Sequence, residues 1–62
     1  MTGRDYIEAR RELLSQFLQK DVVPRADIPE PVWIDLEARG ILERTLGGYL
    51  RLTQYGRTLL AN

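Results

Sequence analysis

Leu36-Glu37-Ala38-Arg39-Gly40-Ile41-Leu42-Glu43-Arg44-Thr45-Leu46-Gly47-Gly48-Tyr49-Leu50-Arg51-Leu52-Thr53 is the stretch that decides the fold. Gly40 stands where a helix should end, because glycine enters the left-handed conformation of a helix C-terminus at no steric cost. Residues 41–46 and 49–53 then flank Gly47-Gly48, a pair that accepts the positive backbone dihedrals of a tight turn. The spacing predicts a β-hairpin over 41–53. On its return strand Leu50 and Leu52 share one face and Tyr49, Arg51 and Thr53 the other, which is the alternation of a half-buried strand.

Upstream of Gly40, Val32, Trp33 and Leu36 recur at helical spacing, with Ile34 a further candidate for the buried side. They predict a helix over 30–39. Pro29 and Pro31 are tolerated in a first turn, and Asp27 and Glu30 have the spacing of a capping box. Residues 21–29 hold Pro24 as well as Pro29, and read as a connector with at most one short turn.

The first helix is expected over 4–20. Tyr6, Ile7, Leu13, Leu14, Phe17 and Leu18 recur at three- and four-residue spacings, with Ala9 between turns. Thr2 or Gly3 serves as its N-cap, Asp5 and Glu8 lie near the positive end of the helix dipole, and Lys20 lies near the negative end. The apolar stripe is wide, so the helix faces either the core alone or the core and a neighbour. Downstream, Tyr55, Leu59 and Leu60 predict a short C-terminal helix over 54–61 that frays at Asn62. Tyr6 and Tyr55 are placed to meet across the fold or across a dimer. The expectation is one α+β domain over residues 1–62.

Sixty-two residues leave no room for a second core. A core this small supplies roughly 3–5 kcal/mol, and with no Cys there is no disulfide to add to it. A homodimer or a complex with another chain would supply the missing burial. Nine basic and nine acidic residues cancel, so binding to nucleic acid requires a local patch rather than a whole-molecule field. Eight of the nine bases are Arg and Lys20 is the exception, a bias that suits phosphate recognition and that base composition of a genome explains equally well. Apolar runs of three residues or fewer and a charged start to the first helix predict a cytoplasmic chain without a membrane span. With no His and no Cys, the usual general base, thiol nucleophile and metal ligands are missing. Asp35 with Glu30 or Asp27 reads as solvated or capping carboxylates. No enzyme, cofactor or small-molecule substrate is expected.

The run from Leu36 to Arg44 resembles the winged-helix transcription regulators of the MarR and PadR kind, in which a recognition helix ends in Leu-Glu, a basic residue and Gly before an apolar-apolar-Glu-Arg entry to the wing. Leu52-Thr53-Gln54-Tyr55-Gly56 is similar to the Leu-Thr-x-x-Gly that closes such a wing. A second resemblance is to the C-terminal winged helix of the Holliday-junction motor RuvB, carried by Glu30-Pro31, Gly40-Ile41-Leu42 and Arg44-Thr45 ahead of the diglycine. The helix between is three residues longer here. Both resemblances imply a winged-helix fold, and the first implies DNA binding. Two departures stand against them: residues 21–28 occupy the place of a middle helix, and the recognition helix offers Glu30, Asp35 and Glu37 against a single Arg39, which phosphates repel.

The candidate contact residues are therefore mainly those of the wing: Arg44, Tyr49 and Arg51, with Gly47 and Gly48 allowing close approach to a nucleic-acid backbone, and Arg39 on the helix. An Arg or Tyr at the wing touches phosphate or enters a minor groove. The competing reading is a solvated hairpin whose arginines pair with Glu37 or Glu43. Arg10 and Arg11 with Arg4 form a basic edge that Glu8 and Glu12 neutralise. Trp33 reads as core rather than as an interface anchor. The function implied is a small DNA-binding repressor or accessory factor, dimeric through its first and last helices. The alternative is a winged-helix-like protein–protein interaction module without DNA binding.

Overall fold

The computed structural model describes residues 3–61, with side chains from Asp5 onward. Helix α1 spans Gly3–Gln19. It is followed by strand β1 at Val23–Pro24, a 3-10 turn at Arg25–Asp27 and helix α2 at Glu30–Ala38. Strands β2 at Leu42–Thr45 and β3 at Tyr49–Leu52 form the hairpin, and α3 spans Gln54–Ala61. The fold is α+β, in the order helix, helix, hairpin, helix. The capping role expected of Thr2 and Gly3, the basic edge expected of Arg4 and the fraying at Asn62 lie outside the described residues or side chains.

The core gathers one face of each helix and strand, while the 3-10 turn contributes no buried residue. Leu14 and Phe17 of α1, Val23 of β1, Leu36 of α2, Leu42 of β2 and Leu50 of β3 are almost completely buried. Tyr6, Ile7, Ile28, Trp33, Ile41, Leu52 and Leu60 complete the cluster. Burying a Val, Leu, Ile or Phe side chain contributes about 1.5–3 kcal/mol of transfer free energy, and this cluster is where so short a chain gains it. Trp33 belongs to this core, as its position on the apolar side of α2 predicts. Leu18 does not: with Ile34 it points to solvent, because each sits one step off its helix's buried stripe.

The connector requires correction. Val23 pairs with Leu50 and Pro24 with Tyr49, so residues 21–29 contribute a third, antiparallel strand and the sheet order is β1-β3-β2. Proline is acceptable there because β1 is an edge strand, where a missing N–H costs no ladder bond. The Arg25 backbone N–H prolongs the contact by donating to the Gly48 carbonyl at 2.9 Å. Strand β1 was hidden from sequence reading because two residues carry no periodicity.

A second correction concerns the start of α2. Pro29 is the N-cap and no side chain caps the helix, so Asp27 and Glu30 do not form a capping box. Asp27 is taken up in the 3-10 turn, and the Pro29 carbonyl accepts from the backbone of Val32 and Trp33 instead. The other end of α2 follows the expectation. Gly40 has φ +77°, its N–H donates to the Glu37 carbonyl at 2.9 Å, and the N–H of Ile41 donates to that of Leu36 at 3.0 Å. This pair of bonds is the Schellman closure that a glycine in the left-handed region permits.

Candidate nucleic-acid interface

The hairpin register is Leu42 with Leu52, Glu43 with Arg51, Arg44 with Leu50 and Thr45 with Tyr49. Leu46, Gly47 and Gly48 therefore make the turn, and Leu46 leaves the strand to which its apolar character assigned it. Gly47 and Gly48 adopt φ +83° and +82°, the conformations that the diglycine predicted. Facing pairs share a sheet face, so Glu43, Arg51, Thr45 and Tyr49 lie on the outer face, while Leu42, Leu50 and Leu52 turn into the core.

The base of the hairpin is closed by Thr53. Its hydroxyl accepts from the Gly56 N–H at 2.9 Å, which caps α3, and its single proton is shared between the carbonyls of Gly40 and, at longer range, Ile41. Its own N–H donates to the Ile41 carbonyl at 3.0 Å. A Cβ placed on the buried Gly56 would overlap the Ile41 carbonyl oxygen. The spacing Thr-x-x-Gly thus has a physical basis here: the threonine caps the helix and the glycine lets that helix lie against the entry to β2.

Each sequence-derived site residue has a definite place. Arg51 pairs with Glu43 across the hairpin, Nε to Oε1 at 2.6 Å, and Arg44 reaches back to Glu37 of α2, Nε to Oε2 at 2.7 Å. Tyr49 is partly exposed, with its ring beside Gly47. Arg39 does not project from the end of α2. Its Nε donates to Asp35 Oδ2 at 3.2 Å, and its guanidinium lies 3.8 Å from the centre of the Tyr6 ring. Arg44 and Arg51 thus line one depression, Tyr49 lies beside the turn, and Arg39 is engaged by Asp35 and Tyr6.

Tyr6, Asp35 and Arg39 form a cluster that sequence reading did not assemble. The Tyr6 hydroxyl donates to Asp35 Oδ2. Burial, and then the bond to Asp35, raise the Tyr6 phenol above its ordinary range. The Tyr6 hydroxyl, assisted by Arg39, holds the Asp35 carboxyl below the usual carboxylate range. Arg10 joins from α1, its guanidinium carbon 5.7 Å from the Tyr6 ring centre. The Asp35–Arg39 spacing of four was legible, but Tyr6 is 29 residues away, and only the packing of α1 against α2 joins them. Tyr55 is exposed and takes no part, so the contact between Tyr6 and Tyr55 within the fold does not form.

Two further residues belong with the wing. Arg25 lies beside Gly48, and its guanidinium carbon is 5.7 Å from the Trp33 ring centre. Arg25, Arg44 and Arg51 line one open depression together with Glu43, Thr45 and Leu46. Arg57 of α3 borders an adjoining one with Glu43 and Arg51. Arg25 escaped sequence reading because its proximity to the wing depends on β1. Charge is accordingly divided along the chain. Residues 41–61 carry Arg44, Arg51 and Arg57 against Glu43, whereas residues 21–40 carry Arg25 and Arg39 against Asp21, Asp27, Glu30, Asp35 and Glu37.

Comparison with family models, curated proteins and solved structures finds no match to this chain. No helix among the described residues is long and apolar enough to cross a membrane.

Proposed function

We propose that this chain is a winged-helix-like DNA-binding module that grips duplex DNA through its hairpin and acts, as a repressor or accessory factor, by occupying a site. The observation that carries this reading is the gathering of Arg25, Arg44 and Arg51 around the hairpin, with Arg57 alongside and Glu43 as the carboxylate among them. The glutamate pairs of Arg44 and Arg51 do not oppose it strongly. Both are more than half exposed on the arginine side, where such pairs contribute about 0–1 kcal/mol. Each is made through Nε, one of five N–H donors on a guanidinium. Each backbone phosphate carries one negative charge over two oxygens that the same fork can grip, with further charges along the strand. Helix α2 is a poor reader of bases, since Glu30, Pro31, Ile34 and Ala38 face solvent.

An anisotropy titration against random duplex at two salt concentrations tests the proposal. Two or three phosphate contacts should give a slope of log K against log salt of about −2 to −3, and Arg25→Ala or Arg51→Ala should each reduce it by about one. Lack of binding at low salt ends the DNA reading. The second reading, a protein-interaction module, is favoured by the outward face of α2, where an exposed Ile34 stands among carboxylates. A dimer through α1 and α3 fits either reading, and sedimentation of the isolated chain tests it.

A further inference from the structure

Leu46 is 97% exposed, far more than any other large apolar side chain of the described residues. It contributes nothing to the core, and the turn does not need it, since Gly47 and Gly48 supply the unusual dihedrals. A leucine kept in water at the tip of a hairpin, on the edge of a depression lined by Arg25, Arg44 and Arg51, is a feature that folding does not explain.

We infer that Leu46 is an apolar wedge that enters the minor groove of duplex DNA and partly unstacks a base step, while Arg25, Arg44 and Arg51 hold the flanking phosphates. The inference rests on the DNA-binding reading above and adds the groove, the inserting atom group and a deformation of the DNA. Its geometry follows from the widths involved. Two paired strands are about 4.8 Å apart before any side chain is added, and the minor groove is about 6 Å wide. Only a part of the hairpin stripped of side chains fits, and Leu46-Gly47-Gly48 is such a part: the two glycines leave Leu46 as the one side chain at the front. Leucine is among the residues that wedge between base steps, and the bend so produced wraps more of the DNA onto the protein. The cations needed to hold a bent backbone lie in the depression that Leu46 itself borders. Tyr49 packs beneath the turn, within 3.5 Å of where a Gly47 side chain would begin, and supports the tip from behind.

The test uses the full chain and a short duplex carrying 2-aminopurine at its centre and a dye at each end. Wild type should raise the 2-aminopurine emission and shorten the end-to-end distance read by energy transfer. Leu46→Ser should fold as wild type by circular dichroism, bind about tenfold more weakly, as expected for losing the burial of one leucine, and show neither signal, with an unchanged salt slope. Leu46→Met should retain both signals. If wild type binds with the expected salt slope but neither signal appears, or if Leu46→Ser keeps both, the wedge is overturned and the phosphate-binding hairpin stands. If wild type does not bind at low salt, the DNA reading fails and takes the wedge with it. A Leu46 that then proves necessary for capturing another protein assigns the tip to that surface instead.

Discussion

At the base of the hairpin, Gly40, Ile41, Thr53 and Gly56 are tied together by backbone and hydroxyl bonds and by a contact too close for a side chain. At its tip, Leu46 is bare, side chains added at Gly47 and Gly48 would meet only the ring of Tyr49 and the end of Arg25, and the Gly48 carbonyl accepts from the Arg25 N–H. The same ribbon, within four residues of strand, passes from a region where every group serves the fold to one where the two glycines do and the side chain of Leu46 does not. The difference shows where a small domain can place function. A stability of only a few kcal/mol leaves no room to strain the base, whereas Leu46 at the tip can be changed at almost no cost to folding.

The contrast is open to attack in order of expected effect. Gly56→Ala should be the most damaging, by about 3 kcal/mol, because the new methyl meets the Ile41 carbonyl, which is itself held by Thr53. A thermal melt should fall by about 15 °C or lose its cooperativity, and an unchanged melt would show that α3 slides freely off the hairpin. Gly40→Ala meets no atom, so its cost is conformational alone, about 1–2 kcal/mol for a left-handed residue. Gly40→Asn should recover part of it in the same melt. Thr53→Val keeps the shape and removes the hydroxyl, which should cost about 1 kcal/mol in urea unfolding, the usual loss for an N-cap. A hydroxyl that proved dispensable would weaken the case for a locked base.

Tyr6→Phe asks whether the α1–α2 cluster belongs with the base or with the tip. Asp35 is depressed in the folded state, so its contribution is complete above the ordinary carboxylate value near 4 and is lost as the pH falls through the lower folded value. Tyr6 is raised, so its contribution is complete below about 10 and is lost as the pH climbs beyond. The difference in urea midpoint between wild type and Tyr6→Phe should therefore be flat from about pH 4 to 10 and shrink at both ends. A difference that persists undiminished at pH 2 would mean that the hydroxyl acts through packing alone. Leu46→Ser should be the mildest change, within about 0.5 kcal/mol of wild type, and a larger loss would move the tip into the folding machinery.

How far the sequence was readable follows from the range of the forces involved. Gly40, the diglycine, the alternation of Leu50 and Leu52, and Trp33 on the apolar side of α2 are local, and each was read from neighbours within four residues. The helix and hairpin boundaries inferred from them agree with the structure to within a residue or two. The start of α2 was misread because capping residues are common beside prolines, and the Pro29 carbonyl displaced Asp27 and Glu30 from that task. Of the proposed interface, Arg44, Tyr49 and Arg51 were legible because all three lie on one short ribbon whose turn the diglycine fixes. Arg25 and Leu46 were not, since one needed the pairing of β1 and the other the true length of the turn.

By itself, then, the chain's order of residues determined the elements whose signals are local: where α1, α2 and α3 run, where the ribbon folds back and which of its faces is apolar. Tertiary structure decided what depends on distant partners meeting. It added β1 to the sheet, carried Arg25 to the wing, drew Tyr6 onto Asp35 and Arg39, and pressed Gly56 against Ile41. The physical reason is that backbone preference and hydrophobic period act over a turn or two of chain, whereas pairing of a two-residue strand or a single buried hydroxyl has no local signature and gains its free energy only when the core has already closed.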